Sequence, residues 1–194
     1  MRLNAFFAFS LLMVALPLQA AHDTVRFATF NASLNRGNAG ALAAELSAPG
    51  SAQPDTVAEI IQRVRPDVLL INEFDYDADG VSAQGFLDNY LTVAHGDAEP
   101  IAYPYYFVAP SNTGIFSGFD IVTSGAAGDF LRNYSFGFGF FPCKFGMVLF
   151  SLFPLDYDAF RTFQMFVWKY MPGAVLPDDP AFPGPADWYS SEEL

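Results

Sequence analysis

Glu73 and Asn31 stand where apolar runs stop, and of all positions in the chain they are best placed to do chemistry. Glu73 follows Val68-Leu69-Leu70-Ile71-Asn72 and leads into Asp75, Asp77 and Asp79, while Asn31 closes Val25-Arg26-Phe27-Ala28-Thr29-Phe30. A carboxylate at the C-terminal end of a buried strand lies on the rim where an open α/β sheet places its ligands. Residue chemistry alone leaves plainer readings open, Glu73 as a solvated strand-end acid and Asn31 as a turn former. The three aspartates read as a solvated loop or an incidental cation site before a catalytic cluster. His95, between Ala94 and Gly96-Asp97, reads as a surface residue, and Arg161 as one half of a structural ion pair before a phosphate contact. A lone cysteine, Cys143, excludes an internal disulfide and a cysteine-rich metal site, and two histidines leave little room for a histidine-rich zinc site. There is no G-x-G-x-x-G, Walker or G-x-S-x-G pattern; Gly137-Phe138-Gly139 lacks a third glycine.

The elements that must hold these residues follow from pattern. Val57, Ile60, Ile61 and Val64 form one apolar stripe of a helix, with Thr56 and Glu59 as a capping box at its start. Pro66 ends that helix at or before Arg65, and Val68–Ile71 then reads as a strand buried on both faces. Val25–Asn31 reads as a central strand, also covered on both sides. Between them lie a polar turn at Ser33–Asn38, a short helix over Gly40–Leu46 and a loop over Ser47–Pro54. Strand, helical connection, strand is the order of adjacent positions in a parallel or mixed sheet.

Downstream, Phe86–Val93 is a helix or an irregular piece, and Tyr103–Pro110, with a proline at either side, is an edge strand. Ser111–Gly139 reads as a long loop, a length that implies function or disorder. The rings of Phe136–Pro142 imply ordered packing. Phe145–Ser151 and part of Phe160–Trp168 are the last strand candidates. Met171–Pro185 is proline-rich loop, with a turn at Asp178-Asp179-Pro180.

Bulk properties narrow the classes. With 194 residues, the chain suits one domain with a core of its own. A formal charge of -12 and the lack of any basic stripe argue against a nucleic-acid-wrapping surface, although a bound cation could still hold a phosphoester locally. Arg2, the apolar run Ala5–Leu16 and the small residues up to Ala21 read as a signal peptide over residues 1–21, cleaved near Ala20 or Ala21. The run is too short for a membrane anchor, so the expected product is secreted or periplasmic.

At Asn31 and Glu73 a family resemblance joins the reading. F-A-T-F-N, R-P-D-V-L-L-I-N-E-F-D and F-G-M-V-L-F-S, in that order, resemble the N-terminal half of the endonuclease/exonuclease/phosphatase family. A-P-S-N-T-G (Ala109–Gly114), S-G-F-D (Ser117–Asp120), G-F-G-F-F-P (Gly137–Pro142), R-T-F-Q (Arg161–Gln164), M-P-G-A (Met171–Ala174) and Trp188-Tyr189-Ser190 look like an exported bacterial branch of it. The resemblance implies an α/β (α+β) fold, a four-layer sandwich of two mixed sheets flanked by helices, in a domain over residues 22–194. It implies hydrolysis of phosphoesters with magnesium or manganese, Glu73 as the metal-ligating glutamate and Asn31 as the asparagine that helps place the phosphate. The substrate stays open between a small phosphoester, a phospholipid head group and nucleic acid. The family's Asp-x-Asn pair, late aspartate and closing Asp-His do not follow Trp188. Ile121–Gly125 replaces an expected acidic stretch, and Cys143-Lys144 stands where the branch has Gly-Gln. The chain therefore reads as a truncated domain with impaired activity, the alternative being a non-catalytic exported binding or remnant domain.

Overall fold

The computed structural model describes residues 24–118 and 134–174. The proposed leader, Asp120, Ile121–Gly125, the Asp178–Pro180 turn and Trp188–Ser190 lie outside the described residues. Among those described, one four-stranded mixed sheet carries helices on one face, where the sequence implied two sheets in a sandwich. Its strands are β1 (Phe27–Asn31), β2 (Val68–Asn72), β3 (Tyr105–Val108) and β4 (Met147–Ser151), in spatial order β1-β2-β4-β3. β1 and β2 are parallel with Asn31 level with Asn72, and β4 is antiparallel to both β2 and β3. The C-terminal ends of β1, β2 and β3 thus share one rim with the start of β4.

Three helices bury the inner face: α1 (Ala41–Leu46), α2 (Ala52–Val64) and α3 (Val81–Phe86), the last running into a π-helical turn over Leu87–Leu91. Leu69, Ile71, Val148 and Phe150 of the sheet pack with Leu42, Leu46, Val57, Ala58, Ile61, Phe86 and Tyr90 in one apolar core. Within β2 the burial alternates, Leu69 and Ile71 fully covered and Val68, Leu70 and Asn72 half-covered. The run Val68–Ile71 is therefore buried on one face only. β1 departs further: it is an edge strand with Phe27 73% exposed, because nothing among the described residues flanks it on that side.

α2 begins earlier than its capping pattern implies. Ser51 precedes its first turn, the hydroxyl of Thr56 donates back to the Ala52 carbonyl, and the capping box is not formed. The buried stripe is Pro54, Val57, Ala58, Ile61 and Gln62; Ile60 and Val64 face outward at 42% and 45% exposure. Alanine and glutamine occupy the inner face because α2 lies close to the π-helical turn, where the Gln62 amide donates to the carbonyls of Leu91 (3.0 Å) and Val93 (2.6 Å). Arg65 at φ 50° closes the helix just before Pro66, as the proline requires. Phe160–Trp168 forms no strand. It is an irregular strap between 3₁₀ turns at Tyr157–Ala159 and Trp168–Tyr170, and Phe160 stacks on Phe107 with ring centres 3.9 Å apart. The strap lies on the outer face of β3 and β4 and leaves β1 bare. The described flanks of the Ser111–Gly139 loop pair with each other, Thr113 bridging Gly137 and Phe116 bridging Ser135.

Candidate active site on the strand-end rim

Glu73 is partly buried and sits at φ +57°, a left-handed conformation that costs a side-chain-bearing residue about 1–2 kcal/mol. The strain is held by its neighbours. The Phe74 N–H donates to the Gly146 carbonyl and the Asp75 N–H to the Leu34 carbonyl, both at 3.0 Å. The Asp75 carboxylate, only 4% exposed, accepts the backbone N–H of Arg36 at 2.6 Å and of Phe145 at 3.1 Å. Asp75 is thus a clamp drawing the loops after β1 and before β4 around Glu73, and not the solvated loop acid its neighbourhood implies. Asp77 is likewise structural: its carboxylate accepts the N–H groups of Val81 (2.6 Å) and Ser82 (2.9 Å) at the start of α3, where free helical N–H groups need an acceptor. Asp79 stays exposed, as expected.

Asn31 and Glu73 end neighbouring strands on one rim. A short polar relay joins them. The Asn31 side-chain oxygen accepts the Ser33 N–H at 3.1 Å, and the Asn35 amide reaches Glu73 Oε2 at 3.1 Å and Ser33 Oγ at 3.5 Å. Facing a carboxylate, Asn35 must present its NH₂. On the next strand, the Asn72 amide donates to Thr29 Oγ1 at 2.9 Å, on the same outer face as Asn31. Asn35 and Asn72 carry no signal of their own in the sequence, where Asp75 reads as one of three loop acids. Asparagines in a turn look alike whether they cap, turn or position, and only the folded register brings Asn35 to Glu73.

The other candidates lie elsewhere. His95 is partly buried against α2, its Nε2 2.9 Å from the Tyr90 carbonyl and its Nδ1 3.8 Å from Asp55. A carbonyl only accepts, so Nε2 carries the proton. Arg161 forms no ion pair among the described residues; it lines a cleft on the outer face of the sheet. Cys143 is buried, its thiol directed to the Ser111 carbonyl. Lys144 is 4% exposed, donates to the Arg36 carbonyl and faces the rings of Phe140, Phe141 and Phe145 at 4.8–5.2 Å.

For a divalent cation the donor type is right and the number small. Glu73 offers a hard carboxylate oxygen beyond the one Asn35 binds, and among the described residues no group of three or more His, Cys, Asp or Glu is arranged around a metal position. Magnesium keeps several waters and takes as few as one or two protein carboxylates, so the rim suits it better than a metal needing a full protein cage.

A mixed sheet backed by helices, with a strained carboxylate and asparagines on its strand-end rim, defines an α+β protein with an oxygen-donor site. A comparison with protein families matches residues 28–193 to the Endonuclease/Exonuclease/phosphatase family, and the chain belongs to that family. Neither curated proteins nor solved structures gave a match. Among the described residues no helix is long and apolar enough to cross a membrane.

Proposed function

We propose that this chain is an exported, divalent-cation-dependent phosphoester hydrolase of the family's bacterial branch, with Glu73 as cation ligand and Asn31 as phosphate-placing residue. In this reading a second sheet completes the four-layer sandwich over the outer face. The observation that carries the proposal is the strained, clamped Glu73 on the same rim as Asn31, in a chain of this family. Strain of this kind gathers at functional sites.

Magnesium or manganese on Glu73 would neutralise charge on the phosphoryl oxygens. The chain's own residues do the rest. Asn35 holds one oxygen of Glu73 and orients the carboxylate. Because the Asn31 oxygen is taken by the Ser33 N–H, its NH₂ is the group turned to a ligand, and it donates to a phosphate oxygen. In the net reaction water forms a new P–O bond, the ester P–O bond breaks, and the water's proton leaves with the alcohol. With one charged ligand, magnesium affinity is expected on the order of millimolar, and turnover slow.

The test pairs Mn²⁺ binding, read from paramagnetic broadening of the Asn31 and Asn35 amide signals, with Mg²⁺-dependent turnover of aryl phosphate mono- and diesters. Glu73→Gln should abolish the broadening and lower turnover by roughly 10²-fold. Unchanged broadening and rate in the variant would make Glu73 a surface acid. The second reading, a non-catalytic binding or remnant domain, is favoured by the small ligand set among the described residues. It predicts phosphate-analogue binding through Asn31 with no metal-dependent turnover at all.

A further inference from the structure

At the end of the sheet opposite the rim, Arg26, Arg65, Asp67, Ile101 and Leu152 line a cleft of about 350 Å³. The volume lies in the range of small-molecule pockets. Backbone pairing continues one residue past the strands here. The Asp67 N–H donates to the Arg26 carbonyl at 2.8 Å, and the Leu152 N–H to the Asp67 carbonyl at 2.9 Å. Arg26, Asp67 and Leu152 therefore form one row. Side chains alternate along a strand, and Ala28, Leu69 and Phe150, two positions further in, all pack into the helix-side core. The row thus lies on the helix side, where Ile101 is itself a core residue. A second sheet over the outer face would leave this cleft open. Arg26 precedes Asn31 by about 16 Å of strand, at about 3.3 Å per residue, too far for one small ligand to reach both.

The charged groups of the cleft are anchored by backbone, not by one another. Arg26 Nη1 donates to the carbonyls of Val64 and Arg65, and Arg65 Nη1 to those of Glu99 (3.1 Å) and Pro100 (3.3 Å). Among the described residues, Nε and Nη2 of both arginines have no partner. Neither guanidinium forms an ion pair there, whereas Arg36 and Arg63 do. The Asp67 Oδ2 accepts the Arg26 backbone N–H at 2.7 Å, and Oδ1 has no partner among the described residues. Groups fixed in this way lower the ordering cost of binding.

We propose that this cleft binds a small zwitterion of the α-amino-acid class with an apolar side chain. Its carboxylate meets the two guanidinium groups, its ammonium meets Asp67, and its side chain lies against Ile101 and Leu152. The assignment stands apart from the phosphoesterase reading of Asn31 and Glu73. Guanidinium forks match the two oxygens of a carboxylate. They match a phosphate as well, but a dianion brings its second charge against Asp67, whereas a zwitterion pairs with all three groups. Ile101 and Leu152 gain only from a ligand that carries hydrocarbon.

Four ligands test it on the full chain: L-leucine, N-acetyl-L-leucine, L-leucinamide and inorganic phosphate, each titrated against the Nε–H signals of Arg26 and Arg65 in NMR spectra. Leucine should saturate those signals with a dissociation constant on the order of millimolar, as exposed charges allow. Removing its positive charge in N-acetylleucine, or its carboxylate in leucinamide, should weaken binding about tenfold, and phosphate should bind more weakly than leucine. Arg65→Gln should weaken leucine about tenfold. Asp67→Asn, which keeps an acceptor for the Arg26 N–H, should bring leucine and N-acetylleucine to equal affinity. Glu73→Gln should bind leucine as the parent does. Phosphate or N-acetylleucine binding the parent as tightly as leucine would make the cleft a plain anion site and overturn the assignment without any variant. Signals unmoved by leucine, or leucine binding unchanged in both Arg65→Gln and Asp67→Asn, would overturn it too. Weaker leucine binding in Glu73→Gln would place the ligand at the rim, again overturning it, while Mg²⁺-dependent turnover tests the rim reading separately.

Discussion

Glu73 owes its position to residues that carry no chemistry of their own, and Asn35 is the most testable of them. Its amide bonds one carboxylate oxygen, so Asn35→Ala should loosen the side chain without removing the charged ligand. Turnover is expected to fall about tenfold, less than for Glu73→Gln, with metal affinity reduced only a few-fold. Equal losses in both variants would mean Asn35 ligates or contacts the substrate itself. Tyr103 sets a second residue-scale expectation. It is 4% exposed and donates to the Pro66 carbonyl at 2.8 Å. Burial first, and then the Asp67 charge, push its phenol well above the ordinary value of 10.0, with Arg65 pulling the other way. The folded state thus favours the neutral ring: the stabilisation is complete below pH 10 and declines as pH rises through and above it. Tyr103→Phe should flatten this alkaline limb in thermal melts, at a cost of about 1 kcal/mol for the hydrogen bond. If parent and variant lose stability in parallel above pH 10, another group is responsible. Glu73 and Asn31 were legible as strand ends because apolar runs announce strands. Asp75 was not, since its burial depends on two backbone N–H groups from loops 39 and 70 residues away.

At the scale of elements, the chain packs by close backbone approach where its sequence is small. Gly85 in α3 lies against the end of α1, and a β-carbon built on it would sit 2.7 Å from the Leu46 carbonyl oxygen. That same oxygen accepts the Asn89 amide at 2.8 Å, and Tyr90 reaches the Ala48 carbonyl just beyond it. Gly85→Ala should therefore force α1 and α3 apart and lower stability by about 1–3 kcal/mol, despite alanine's better helix propensity. A variant at least as stable as the parent in chemical denaturation would show that the contact yields freely. Element existence was largely written in the sequence: α1, β2, β3 and β4 all lie where pattern places them. Misreadings came where local pattern has two solutions. Thr56 and Glu59 match a capping box, yet the buried stripe starts at Pro54, which draws the helix start back to Ala52. Phe160–Trp168 alternates like a strand, but over the outer face of β3 it meets ring faces before backbone partners, and Phe160 stacks instead of pairing.

For the whole molecule, the outer sheet face is the unresolved balance between apolar surface and charge. Phe27 is 73% exposed on β1, and Phe163 and Met165 on the strap are 76% and 87% exposed. Exposed apolar surface of this kind drives association, and β1 adds an unpaired edge among the described residues. Opposing it is the net charge of -12, which keeps copies apart at low ionic strength. The two terms respond oppositely to salt. At 0.5 M salt the Debye length falls to about 4 Å, repulsion is screened, and apolar contact is untouched. The chain should therefore be smallest at low salt and form dimers or larger species as salt rises, whether or not the proposed leader over residues 1–21 is present. Phe27→Lys places a charge at the start of the bare edge strand and should shift the onset to higher salt. Phe163→Ser, on the far side of the sheet, reports whether the strap takes part. Light scattering across a salt series reads all three. A parent chain that stays monomeric and melts cooperatively at high salt would show that the outer face is covered within one copy, as a second sheet in the same chain would cover it.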